Sequence, residues 1–109
     1  MQSLQVEMRE LRDTLTLAIT ELKKHGRGKA RAEMNYRVAL QKKILLERDK
    51  GTPVTIINDI CKGDKEIAKL KFQRDVAETF YDTAKEKVLA TKLEIRIVEE
   101  EMQAMRKGI

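Results

Sequence analysis

The chain is poor in the residues that build most sites and scaffolds. Its 109 residues include no Trp, two Tyr, two Phe, one Pro, one His and one Cys. The lone thiol, Cys61, closes no intramolecular disulfide, so the chain is not a disulfide scaffold and a reducing, cytoplasmic setting is expected. One His (His25) and one Cys fall short of the usual four-ligand zinc set, and neither a metal nor a cofactor is expected. Aromatics at 4% and a single Pro disfavour a β-sandwich or barrel, which needs β-branched and aromatic strands with frequent turns. No apolar run approaches the roughly 18 residues of a membrane span. Residues 1–10 carry early acids in place of an unbroken apolar core, which is not the pattern of a signal peptide. No membrane partner is expected.

Charge and helix formers are what the chain has in plenty. Charged residues make up 38%, and the formal net charge is +5. The excess is local. Segment 23–43 holds eight bases (Lys23, Lys24, Arg27, Lys29, Arg31, Arg37, Lys42, Lys43) against one acid, Glu33, for a net +7. Residues 44–63 and 64–109 are each balanced, and residues 1–22 are net −2. A basic block of this kind is the one electrostatic feature that could select a partner.

Apolar periodicity predicts long helices. Leu4, Met8, Leu11, Leu15, Ala18 and Leu22 recur at alternating steps of four and three, a stripe that packs along a helix. Gly26 and Gly28 interrupt it, at a cost of about 1 kcal/mol each relative to Ala. Ala32, Tyr36, Ala39 and Leu46 then resume the register, with Lys29 and Lys43 as polar interruptions. One helix over about 3–49 is therefore expected, with a possible break at 25–29. Gly51 suits a left-handed helix stop, Thr52 offers a cap oxygen and Pro53 a preset first turn. A short helix over about 53–61 should bury Val54, Ile57, Ile60 and Ile56. Asp64 caps the last helix, about 65–106. Its stripe runs Ile67, Leu70, Arg74, Ala77, Tyr81, Ala84, Val88, Thr91, Ile95, Val98, Met102 and Met105.

Two matched helices of about 63 Å, joined by a compact connection, make an all-α, coiled-coil-like antiparallel hairpin in one domain. Placing residue 49 level with residue 65 puts Tyr36 near Val76 and Ala77, Leu15 near Val98, and Leu11 near Met102. The expected seam comprises Leu4, Met8, Leu11, Leu15, Leu22, Tyr81, Val88, Ile95, Val98 and Met102. Val6, Ile19, Val38, Ile44 and Leu45, with Phe72, Phe80, Leu89, Leu93 and Ile97, are too many for that seam. Since a bare hairpin buries little per residue, self-association into a larger helical bundle is expected.

The sequence offers little chemistry. Gly26-Arg27-Gly28-Lys29 has the wrong spacing for a phosphate loop, and Ala30 stands where the hydroxyl belongs. His25 reads as a surface histidine, and Cys61 as a buried structural thiol with no base beside it. Asp75, Glu78, Asp82 and Glu86 form an acidic stripe. The ferritin-like pattern would need a Glu-x-x-His pair that is missing, so an ion-pair strip with Arg27, Arg31 and Arg37 is the simpler expectation. Met102 and Met105 read as core packing. Lys23, Lys24, Arg27, Lys29 and Arg31 are the candidate nucleic-acid contacts, because bases that neutralise phosphates release counterions. With no nucleophile–base pair, metal set or phosphate loop, catalysis is not expected.

Three stretches together carry a resemblance. They are Tyr36-Arg37-Val38-Ala39-Leu40, Arg48-Asp49-Lys50-Gly51-Thr52-Pro53-Val54-Thr55, and Lys71-Phe72-Gln73-Arg74-Asp75-Val76-Ala77-Glu78. The chain resembles, over about residues 30–100, small helical proteins of temperate phages and prophages of Gram-positive bacteria. The resemblance implies an accessory factor in an infected bacterial cytoplasm, encoded among early replication and recombination genes. It carries over no catalytic or binding residue. Three function classes stand open. The first is a non-catalytic interaction protein that also self-associates. The second is a nucleic-acid-binding accessory factor using segment 23–43. The third is an inhibitor of a host enzyme.

Overall fold

The computed structural model describes residues 3–108. The chain is an all-α helical hairpin: α1 spans Leu4–Asp49, α2 Val54–Gly63 and α3 Lys65–Arg106, with no strand among the described residues. Helix α1 continues without a break through 25–29. The glycines there lower its propensity, but the flanking turns carry the helix across them. Gly28 has open space where a side chain would stand, so no close backbone approach requires it.

Caps match the local chemistry. Ser3 Oγ accepts the Val6 amide at 3.2 Å at the start of α1. At the end of α1, Gly51 takes φ +80°, the left-handed geometry expected there. Asp64 Oδ2 accepts the Ile67 amide at 3.1 Å and starts α3 as read from the sequence. Thr52 departs from its expected role. It does not cap α2, whose N-cap is Pro53 with no side-chain cap bond. Its hydroxyl instead donates to Glu47 Oε2 at 2.7 Å.

The fold divides into two compact units. Unit 1 takes its described residues from Met1–His25 and Tyr81–Ile109, and unit 2 is Gly26–Phe80. In unit 2 the connection is clasped by a buried carboxylate. Glu47 is 6% exposed, and its Oε1 lies 3.1 Å from Lys43 Nζ and 3.8 Å from Lys50 Nζ. Lys43 Nζ also reaches Asp64 Oδ1 at 3.6 Å, tying α1 to the cap of α3. Beneath this clasp Ile57 and Cys61 of α2 are buried, and so is Ile67 of α3. Val54 and Ile56, expected inside, are exposed, and Ile60 is half-buried. A ten-residue helix presents one inward stripe, and the four-residue step from Ile57 to Cys61 defines it.

The helix register differs from the expected one. Lys43 is level with Asp64, and Glu33 with Arg74 (Nε to Oε2, 3.6 Å). Tyr36 packs on Arg74. In unit 1, Thr14, Leu17, Ala18 and Glu21 share a groove with Ala84 and Lys87. Leu15 is therefore level with that part of α3 and not with Val98. In unit 2 the shift is about two helical turns. With Lys43 level with Asp64, the last turns of α1 run past the start of α3. Leu46, expected to continue the α1 stripe, is exposed, while Lys43 and Glu47 turn inward. Met105 is exposed as well, because the shifted register leaves it little of α1 to pack on.

Unit 1 buries the remaining stripe. Met8, Ala18, Ala84, Val88 and Val98 are buried, and Leu4, Leu11, Leu15, Leu22, Tyr81, Ile95 and Met102 are half-buried. Thr91, polar and 2% exposed, satisfies itself by donating Oγ1 to the Lys87 carbonyl at 2.8 Å.

Candidate functional site

The polar position on the α3 stripe in unit 2 is Arg74. Its guanidinium lies 4.5 Å from the Tyr36 ring centroid, and Nη2 lies 3.2 Å from Asp75 Oδ1. Burial alone would lower its pKa. The Asp75 hydrogen bond and charge, then Glu33 and Tyr36, outweigh that and raise it. Arg37 is likewise held within its own helix, with Nε 2.7 Å from Glu33 Oε1. Of the expected strip of Asp75, Glu78, Asp82 and Glu86 with Arg27, Arg31 and Arg37, Asp75 thus pairs with Arg74 and Arg37 with Glu33. Beside the Lys43–Asp64 pair, a second ionic tie in unit 2 runs from a base on α3 to an acid on α1, because the shifted register brings Glu33 to Arg74.

The expected basic contacts divide by exposure. Lys23 and Lys24 of unit 1 are exposed, as are Arg27 and Arg31 of unit 2, while Lys29 is half-buried. His25 is half-buried, with Nε2 3.5 Å from Glu21 Oε2. Cys61 is a free thiol at 2% exposure, beside an open groove of about 520 Å³ lined by Tyr36, Leu40, Ile67 and Phe72 among others. Among the described residues, no three His, Cys, Asp or Glu side chains gather where they could hold a metal. Nor is any helix among them long and apolar enough to cross a membrane.

The most distinctive feature lies on the outward faces. Nine of the ten apolar residues judged surplus to the seam are exposed, Ile44 alone being half-buried. In unit 1, Leu89, Leu93 and Ile97 are 57%, 57% and 47% exposed. At about 100° per residue they project from the side of α3 opposite buried Val88, Thr91 and Val98. In unit 2, Met34, Val38 and Leu45 are 57%, 48% and 48% exposed. They project from the side of α1 opposite half-buried Tyr36, Ala39 and Lys43. Each unit thus carries one apolar stripe that packs inward and a second that does not.

Sequence reasoning missed two features. Met34 belongs to the second stripe of α1, which its four-residue step to Val38 could have shown. The Glu47 clasp was also missed, although the Lys43-to-Glu47 step is the spacing of a helical ion pair. No family model, no curated protein and no solved structure matches the chain.

Proposed function

We propose that this chain is a non-catalytic helical interaction protein, acting through its outward faces and associating with itself. One observation supports this reading above the others: each unit exposes a stripe of large apolar residues at helical spacing, on the side away from its packed seam. Contiguous apolar surface of this kind marks interaction sites, because leaving it in water costs about 25 cal/mol per Å². The resemblance to temperate-phage proteins makes an accessory role in an infected cell the fitting context.

A second reading, nucleic-acid binding, is favoured by the exposure of Lys23, Lys24, Arg27 and Arg31. Size-exclusion chromatography with light scattering, run with and without short duplex and single-stranded DNA, decides between the two. Self-association predicts a stable multimer whose mass ignores DNA at low and high salt. A salt-sensitive shift to a DNA complex would favour the second reading. A monomer at every concentration that binds no DNA would sink both.

A further inference from the structure

The two outward faces differ in the charges beside them, and the difference is complementary. On α1 of unit 2, Met34 and Val38 are preceded on the same side by Arg27 and Arg31. On α3 of unit 1, Leu89 and Leu93 are preceded on the same side by Asp82 and Glu86. The spacing is identical: each set of four advances by steps of four, three and four residues. All eight residues are exposed.

The geometry points to a second copy of this chain as the occupant, with the α1 face of unit 2 in one copy lying along the α3 face of unit 1 in the other. The helices run parallel, with Arg27 beside Asp82, Arg31 beside Glu86, Met34 against Leu89 and Val38 against Leu93. The inference rests on the self-association reading above and names the surfaces that carry it.

Three arguments support that occupant and that direction. Equal steps keep two parallel helices in phase over about 16 Å, and steps of four and three are those of a coiled-coil seam. The antiparallel alternative, with Val38 again on Leu93, sets Asp82 against Asp49 and Glu86 against Leu45, so the acids lose their partners. DNA would use Arg27 and Arg31 but would leave both apolar pairs uncovered and would make no use of Asp82 and Glu86. A second copy uses all eight residues. Because the faces are unlike, the contact is heterologous; repeated, it gives a ring where the rotation closes and an open filament where it does not.

Charge reversal tests the pairing. One variant carries Arg27→Glu and Arg31→Glu, and the other Asp82→Arg and Glu86→Arg. Each alone sets like charges against each other and should weaken self-association at least about tenfold by sedimentation equilibrium. An equimolar mixture of the two should associate where neither does alone, since every contact between unlike variants is again complementary. Far-UV circular dichroism checks that each is folded. If a reversal costs helicity, the neutral pairs Arg27→Gln with Arg31→Gln and Asp82→Asn with Glu86→Gln take its place. If the wild type assembles and the reversed variants assemble equally well, or if mixing fails to restore them, the face pairing is wrong and self-association stands. A wild type that stays monomeric overturns both.

Discussion

At the residue scale, Glu47 shows how one buried carboxylate can organise a connection. Its pKa is lowered, chiefly by the Thr52 hydroxyl and then by the Lys43 hydrogen bond, against the opposing effect of burial. The Lys43 pKa is raised, chiefly by its hydrogen bond to Glu47, again against burial, with Asp64 adding to the rise. The signs fix a pH window. A lowered carboxylate pKa gives stability that is present above the ordinary value of 4.5 and lost as pH falls through the folded value. A raised lysine pKa gives stability that is present below 10.5 and lost as pH rises through its folded value. Glu47→Gln keeps the shape and removes the charge. It should lower the melting temperature at neutral pH and flatten its decline below pH 4.5. Thermal melts of both proteins across the acid range check this, and parallel curves there would show that the clasp is not linked to acid unfolding.

At the element scale, propensity and position pull apart, and two glycines show it. Gly28 lies in the middle of α1 with nothing within 4 Å of where a side chain would stand. Gly28→Ala should therefore stabilise the chain by about 1 kcal/mol, the ordinary helix-interior difference. Gly51 also faces open space, but it sits at φ +80°. Gly51→Ala should destabilise by about 1 kcal/mol, because a β-carbon disfavours that backbone geometry. Urea midpoints at one fixed protein concentration test the opposite signs, and a shared sign would mean that helix propensity does not govern these positions. The same contrast explains what the sequence made legible. The bounds of α1 and α3 follow from local signals, namely a heptad stripe, a stop glycine and a capping Asp. Register does not, because it depends on which side chains of the two helices meet. That is a packing quantity with no sequence period. Leu46 is exposed for this reason, and Val54 because the inward stripe of α2 is set by Ile57 and Cys61.

At the scale of the whole molecule, the outward faces set the problem. Sequence periodicity showed that there were more apolar positions than one seam could take. The side each would face became clear only with the register. Substituting an exposed residue in a lone protein normally changes stability by less than about 0.5 kcal/mol. In an assembled protein the same change removes contacts that only the folded, associated state makes. Folding and association then share one free energy, and the melting temperature depends on concentration. The wild-type melting temperature should rise by several degrees over about a hundredfold increase in protein concentration. Val38→Glu and Leu93→Glu each place a charge in the middle of an outward stripe, at positions 48% and 57% exposed. Both variants should melt at a temperature independent of concentration and close to that of the most dilute wild type. Differential scanning calorimetry across the concentration series separates the cases. A wild-type curve that does not move, matched by both variants, would mean that these stripes stay bare in the protein alone and that any partner covering them is a different molecule.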